Sequence, residues 1–191
     1  MRILGIDPGL ARVGWAVVDH DLESKLLTAI AFDCFETKKE VETSKRLEQI
    51  YDQIMMLIRV HNPDVLAIEQ LFFAINAKTA FAVSQARGVI LLAGAKKGIP
   101  NFVYTPLQVK MIVTGYGRAE KEEVGKRIKK LLKLTKVPKL DDTADALAVA
   151  IAHTLANGVH TNKPYQKPVK KSKTKGNGVK KLLPKSQPLS L

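Results

Sequence analysis

The segment Asp64-Val-Leu-Ala-Ile-Glu-Gln-Leu-Phe-Phe73 places a carboxylate directly after an apolar run. Residues Val65–Ile68 are apolar without alternation, which is typical of a strand buried in a parallel sheet. A carboxylate at the end of such a strand is costly unless a positive charge meets it. The next basic residue along the chain is Lys78. We therefore expect the cation opposite Glu69 to be a metal ion or a basic side chain from a distant part of the chain.

Patterns of apolar residues on both sides of this strand predict an α/β fold. Three strands come first, and their short connections favour antiparallel pairing. Apolar residues then recur at three- and four-residue steps, which indicates helices between and after the later strands. The elements begin in the order β-β-β-α-β-α-β-α, which predicts a five-stranded mixed sheet flanked by helices. The predicted strands are Arg2–Ile6, Val13–Val18, Leu26–Phe35, Val65–Ile68 and Phe102–Tyr104, and the predicted helices are Val41–His61, Ala77–Lys97, one opened by Pro106 behind a Thr105 cap, Glu120–Leu134 and Asp142–Leu155.

The positive charge of the chain is concentrated at its carboxyl end. The sequence has 31 basic and 18 acidic residues, a net charge of +13, and residues 159–191 hold nine lysines and no acid. Lysine, proline, serine and glycine dominate that segment, which predicts a disordered tail behind a domain of residues 1–158. A disordered polycation attracts nucleic-acid phosphates without sequence preference, although the same composition also suits a tail that only aids solubility.

Cysteine content and hydropathy favour a cytoplasmic protein that is not attached to a membrane. Cys34 is the single cysteine, so an intrachain disulfide is impossible, as expected in a reducing compartment. The first residues run into a strand rather than into a signal peptide. No apolar run approaches the roughly 20 residues needed to span a bilayer.

Four acidic residues stand at the ends of predicted elements. Asp7 follows the first strand and Glu69 follows the fourth, while Asp142 and Asp145 are three residues apart at the start of the last helix. Ligands of open α/β sheets gather beyond the carboxyl ends of parallel strands. If the first and fourth strands are neighbours, Asp7 and Glu69 face each other across one strand spacing, roughly 5 Å.

Each acid except Glu69 has an ordinary structural alternative. Asp7 precedes Pro-Gly and would suit a turn, Asp142 would suit a helix cap, and Asp145 would suit the first turn of a helix. Neither a turn nor a cap accounts for Glu69. Because clustered carboxylates repel one another and hard oxygen ligands suit Mg²⁺ or Mn²⁺, the four together predict a metal site.

Four blocks of sequence carry these acids and their surroundings: Gly5-Ile-Asp-Pro-Gly-Leu-Ala-Arg-Val-Gly-Trp-Ala-Val17, Ala67-Ile-Glu-Gln70, Ser84-Gln-Ala-Arg-Gly88 and Asp142-Thr-Ala-Asp-Ala-Leu-Ala148. In this order they resemble the RuvC family of Holliday-junction resolvases. The first block alone is shared loosely with other folds of the superfamily, but the four together are specific. The resemblance covers residues 1–157.

The resemblance implies an RNase H-like fold and a homodimer that acts on four-way junction DNA in recombination and repair. By motif position, Asp7, Glu69, Asp142 and Asp145 would be the catalytic residues and would hold two Mg²⁺ ions per subunit, for which Mn²⁺ would substitute. Two such ions clamp a scissile phosphodiester, and paired sites would nick symmetric strands to leave a 5′-phosphate and a 3′-hydroxyl. Family membership also implies partnership with the branch-migration complex of RuvA and RuvB.

The same resemblance suggests side chains that contact DNA, namely Phe72, Lys110, Lys121, Arg12, Arg87 and Arg118. Phe72, three residues past Glu69, would stack on an unpaired base near the crossover, whereas a core position is its alternative. Lys110 and Lys121 match family lysines beside the site, where they would hold phosphates, although a solvated face suits them equally well. The three arginines are weaker candidates for backbone contacts.

The predicted second helix is rich in small residues, which permit close approach of another helix: Ala80, Ala82, Ser84, Ala86, Gly88, Ala93, Gly94 and Ala95. The family places its dimer interface around this helix. An intrachain core would explain the pattern nearly as well.

Three other classes of protein compete with a junction resolvase. Actin-like and sugar-kinase ATPases share the opening hairpin, but they need a second nucleotide-binding domain, and only the lysine-rich segment follows residue 158. Another RNase H-like nuclease, acting on RNA–DNA hybrid, is a closer alternative. A basic nucleic-acid-binding protein without catalysis would leave four acids at element ends unexplained.

Overall fold

The computed structural model describes residues 1–70 and 77–156 of the chain. Its strands are β1 (Arg2–Asp7), β2 (Arg12–His20), β3 (Leu27–Glu36), β4 (Val65–Glu69) and β5 (Asn101–Tyr104). Its helices are α1 (Thr43–His61), α2 (Ala77–Lys96), α3 (Pro106–Thr114), α4 (Lys121–Leu131) and α5 (Asp141–Leu155). Each of these elements corresponds to a predicted one, with ends that shift by a few residues.

The strands form one mixed sheet in the order β3-β2-β1-β4-β5. The β2 strand lies antiparallel to both β1 and β3, whereas β4 lies parallel to both β1 and β5. The predicted five-stranded sheet with three antiparallel strands is therefore confirmed. Its register pairs Ile6 with Ile68, so the carboxyl ends of β1 and β4 finish side by side.

Helices cover both faces of the sheet, because side chains of the central strands alternate between two apolar clusters. From β4, Val65 and Ala67 join one cluster with α3, α4 and α5, while Leu66 and Ile68 join the other with α1 and α2. All four side chains are buried. Burial on both faces explains why this strand is an unbroken apolar run rather than an alternating one.

The ends of the last three helices confirm one prediction, correct a second and exclude one structural alternative. Thr105 caps α3, since its side chain accepts a hydrogen bond from the Gln108 amide at 3.2 Å and the Gln108 side chain accepts one from the Thr105 amide at 2.8 Å. Helix α4 ends at Leu131 rather than at Leu134, because Lys133 has a left-handed backbone with φ of 52°. Helix α5 begins at residue 141 with no side-chain cap, so Asp142 lies inside the first turn and is not its cap.

The predicted tail of residues 159–191 lies outside the described residues, and the boundary at residue 158 stays a prediction. Among the helices that the structure describes, none is both long enough and apolar enough to cross a membrane.

Candidate active site

Three carboxylates from three separate elements meet at the carboxyl edge of the sheet. Asp7 ends β1, Glu69 ends β4, and Asp145 lies in the first turns of α5. Because β1 and β4 are parallel neighbours, Asp7 and Glu69 lie side by side. One carboxylate oxygen from each of the three residues lies within 4.8 Å of the other two. In the part of the chain that the structure describes, this cluster has the spacing expected of ligands to a shared metal ion.

Two glycines allow α5 to approach the sheet closely enough to bring Asp145 to this edge. A Cβ atom on Gly5 of β1 would overlap the backbone oxygen of Ala146, and one on Gly14 of β2 would overlap the backbone oxygen of Asp142. Both glycines belong to the first block of sequence that carries the family resemblance. Neither glycine was among the predicted site residues, although two glycines on adjacent strands are a recognisable signal of close backbone approach.

Burial and mutual repulsion make this cluster hard to ionise. Burial, with the charges of Asp145 and Asp142, raises the pKa of Asp7 to about 7. Burial, with the charge of Asp7, raises the pKa of Glu69 to about 8. Burial also raises the pKa of Asp145. A cation at this point would remove both the desolvation cost and the repulsion, and the all-oxygen donor set suits Mg²⁺ or Mn²⁺.

The fourth predicted ligand, Asp142, lies beside the cluster but outside the group of three. Its Oδ2 accepts a hydrogen bond from Nη1 of Arg12 at 3.1 Å. Arg12 also forms an ion pair with Glu36 at 2.8 Å. The charge of Asp142 still contributes to the raised pKa of Asp7. Asp142 therefore adds negative potential to the site, and its role as a direct ligand stays a prediction.

Two lysines supply positive charge next to the acids. Lys121, the first residue of α4, donates a hydrogen bond to Asp141 at 3.0 Å and lies 3.9 Å from Asp145. Its charge opposes the upward pKa shifts of both Asp7 and Glu69. The sequence predicted that either a metal ion or a basic side chain from a distant part of the chain would lie opposite Glu69. Lys121 is such a side chain. Its hydrogen bond to Asp141 joins residues 20 apart in sequence, and no motif predicted it.

Lys110 and Lys121 line the same cavity, which has a volume of about 290 Å³. Glu69 and Asp145 also line it, and apolar side chains of α3, α4 and α5 complete its wall. The charge of Lys110 opposes the upward pKa shift of Asp145. Both predicted lysines therefore lie beside the carboxylate cluster, where a bound phosphate would be within their reach.

The remaining predicted DNA contacts are Arg118, Arg87 and Phe72. Arg118 is exposed in the turn between α3 and α4. Arg87 is partly buried on α2, where its Nε has no hydrogen-bond partner in the part of the chain that the structure describes, and burial lowers the pKa of its guanidinium. Phe72 lies outside the described residues. For all three residues, contact with DNA stays a prediction.

Comparisons with known proteins place this site in a family. The family model described as "Crossover junction endodeoxyribonuclease RuvC" matches residues 3–153. Proteins of that name from Brevibacillus brevis and Fusobacterium nucleatum subsp. nucleatum are 48% and 46% identical over 153 residues, which is 80% of this chain and 91% and 80% of theirs. The chain spans most of the length of both.

Solved structures agree with the sequence comparison. The structure described as "T. thermophilus RuvC in complex with Holliday junction substrate" superposes with a TM-score of 0.80 at 30% identity, covering 86% of this chain and 99% of the other. This likeness confirms the predicted RNase H-like architecture of a mixed sheet flanked by helices. The chain therefore belongs to the RuvC family of crossover junction endodeoxyribonucleases.

Proposed function

We propose that this chain is a structure-specific endonuclease that resolves Holliday junctions by metal-dependent hydrolysis of DNA phosphodiesters. The observation that carries the proposal is the convergence of Asp7, Glu69 and Asp145, whose carboxylate oxygens lie within 4.8 Å of one another. The relatives named as crossover junction endodeoxyribonucleases and the solved RuvC complex with junction DNA support the choice of substrate.

Asp7, Glu69 and Asp145 would hold Mg²⁺, with Asp142 as the fourth ligand of a site for two ions per subunit. Mn²⁺, which also prefers oxygen ligands, would substitute. Bound ions of this kind supply an activated water and neutralise charge on the phosphodiester that is cut. The chain itself contributes fixed positions, since β1 and β4 pack into both apolar clusters and α5 packs into the cluster that it shares with α3 and α4.

The lysines of the neighbouring cavity would orient the scissile phosphate. Lys121 is restrained by Asp141 at 3.0 Å, and Lys110 lies on α3 in the wall of the same cavity. Preplaced cations beside a phosphate stabilise the negative charge that develops as the bond breaks. Their placement leaves the acids to bind the metal and the lysines to bind the DNA.

Symmetric cutting of a junction requires two copies of the site, and we assign the dimer contact to α2. Phe81, Ser84, Gly88, Leu92 and Ala95 follow one another at three- and four-residue steps and are exposed. Phe81 is 76% and Leu92 is 52% exposed, and all five of these residues are uncharged. A two-fold contact through this face would give paired nicks. Attack of water on phosphorus with the 3′-oxygen as leaving group would give each nick 5′-phosphate and 3′-hydroxyl ends.

Further assignments rest on family membership and composition. Phe72 would stack on an unpaired base at the crossover, and Arg12, Arg87 and Arg118 would contact the DNA backbone. The lysine-rich segment 159–191 would add affinity for phosphates. A cytoplasmic location and cooperation with RuvA and RuvB branch-migration proteins complete the proposal.

One assay separates this function from its competitors. The full chain is incubated with Mg²⁺ and with a labelled four-way junction that cannot migrate, a duplex of the same sequence, an RNA–DNA hybrid, or ATP. Paired nicks confined to the junction, with ends that a ligase reseals, are the expected result. Cleavage of the hybrid alone, or hydrolysis of ATP alone, would overturn the proposal.

A further inference from the structure

A second concavity borders the acidic site on the side of Asp142. It has a volume of about 580 Å³, and its wall is formed by the turn between β1 and β2, the end of β3, the start of α1 and the amino-terminal half of α2. Asp142 lines this groove, whereas Asp145, one helical turn further on, lines the lysine cavity. A DNA strand bound at the carboxylates would therefore have one concavity on either side of it.

One arginine in the groove is held in place by neutral partners. The Arg46 Nε donates a hydrogen bond to Oγ1 of Thr37 at 2.8 Å. That hydroxyl is buried and itself donates to the Leu10 carbonyl at 2.5 Å, while the Thr37 amide donates to the Ala11 carbonyl at 2.9 Å. The guanidinium is thus anchored through one nitrogen to the turn that follows Asp7, and within residues 1–70 and 77–156 its two Nη groups form no hydrogen bond.

No carboxylate among the described residues forms an ion pair with this arginine. In the described residues, none of the ion pairs involves Arg46, and residues 71–76 and 157–191 contain no aspartate or glutamate that could approach it. Arg12, in the same groove, is bound by both Glu36 and Asp142. Of these two arginines, Arg46 is the one with an unmatched positive charge and free donors.

We infer that this groove binds a second phosphate of the DNA strand, next to the phosphate that is cut. The two Nη groups of Arg46 would donate hydrogen bonds to this second phosphate. The planar guanidinium matches two phosphate oxygens, and its anchoring by Thr37 lowers the entropy lost on binding. This inference rests on the proposed function and adds a phosphate-binding residue outside the carboxylate and lysine cluster.

The charges around Arg46 favour a phosphate within a strand over a free anion. Glu36 and Asp142 line the same groove and balance the charges of Arg12 and Arg46, so the groove as a whole attracts a small anion only weakly. A strand already held at the carboxylates brings its next phosphate to Arg46 at high effective concentration, which compensates for that weak attraction. The proposed ligand is therefore polymeric DNA rather than inorganic phosphate or a mononucleotide.

The first test measures junction binding by full-length Arg46→Ala in EDTA, so that no DNA is cut, over a range of salt concentrations. Losing one phosphate contact made by a charged donor should weaken binding about tenfold. It should also reduce the slope of log K against log salt by about one. Lys45→Ala removes the neighbouring charge, which is paired with Glu48 at 2.7 Å, and should leave the slope unchanged.

The second test separates a DNA contact from a purely structural role for Arg46. Junctions carrying single neutral methylphosphonate linkages around the cleavage point are bound to the wild-type chain and to Arg46→Ala. One linkage should weaken wild-type binding to the level of the variant and have no further effect on the variant itself. If Arg46→Ala binds with wild-type slope and responds to every neutral linkage as wild type does, the inference is wrong. Failure of the wild-type chain to bind junctions would overturn the proposed function as well.

Discussion

The carboxylates at the two ends of β1 have pKa values shifted in opposite directions. At the amino end, Arg2 binds Asp19 through Nε and Nη2, both at 2.8 Å, and its backbone amide donates to Asp64 at 2.6 Å. The hydrogen bond from Arg2 holds the pKa of Asp19 below its ordinary value. At the carboxyl end of this six-residue strand, the pKa of Asp7 is raised to about 7.

The contrast shows which acids serve the fold and which serve chemistry. At the amino end the chain supplies a cation within hydrogen-bond distance, so the acids are satisfied without any ligand. At the carboxyl end, Lys121 opposes the repulsion but three acids remain clustered and partly buried. A protein keeps such a cluster at a cost in stability, and shifted pKa values of this kind mark functional sites. The missing positive charge is the one that metal ions would bring.

The largest effect should come from neutralising one acid at the carboxyl end. Glu69→Gln keeps the shape of the side chain but removes its charge, so junction cleavage should fall by about 10³-fold or more while junction binding persists. Glu48→Gln, on an exposed carboxylate of α1 paired with Lys45, is the matched control and should cleave normally. Cleavage rates under single-turnover conditions measure both. Normal cleavage by Glu69→Gln would remove this acid from the catalytic site.

Metal binding should stabilise the fold only when the cluster is complete. At Mg²⁺ concentrations about 100 times the dissociation constant, linkage adds about 2.7 kcal/mol, which for a chain of this size raises the Tm by roughly 5–10 °C. Asp7→Asn should abolish that increase, whereas Asp19→Asn, at the other end of the sheet, should keep it. Differential scanning calorimetry with and without EDTA gives the comparison. An equal Tm increase in Asp7→Asn would show that the ion binds elsewhere.

The pH dependence of metal-free stability should differ between wild type and Asp7→Asn. Because the folded pKa values of Asp7 and Glu69 lie near 7 and 8, the native state holds protons that the unfolded chain has lost above about pH 4. Stability should therefore fall as pH rises from 5 to about 8, by roughly 2–4 kcal/mol relative to the variant. Urea unfolding in EDTA at several pH values measures this difference. Parallel curves for the two proteins would contradict the raised pKa values.

The smallest effect should come from a substitution at the amino end of β1, where Arg2 is paired with Asp19. Asp19→Asn removes a half-exposed ion pair with Arg2, so the free energy of unfolding should fall by about 1 kcal/mol or less. The loss should appear at neutral pH and vanish in acid, because the pKa of Asp19 is lowered in the folded state and its contribution is lost as pH falls through that value. Cleavage should be unchanged. A large loss of cleavage would mean that the two ends are coupled.

Local patterns in the sequence determined the strands and helices of this protein and two of its clustered acids, Asp7 and Glu69. The apolar run before Glu69, the three- and four-residue spacing of α1 and the Thr105–Pro106 signal depend on neighbouring residues, so they are visible without the fold. The pairing of Asp7 with Glu69 followed from one further assumption, that the first and fourth strands are parallel neighbours. The four motif blocks then pointed to the family.

Only the tertiary structure distinguished Asp145 from Asp142. Both belong to one motif on one helix, but the first joins the cluster and the second meets Arg12, which is 130 residues away in sequence. The approach of α5 over Gly5 and Gly14, the bond from Lys121 to Asp141, and the unmatched charge of Arg46 are likewise long-range contacts. They depend on how the helices pack against the sheet. The order of residues along the chain does not predict which distant charged side chains that packing brings together.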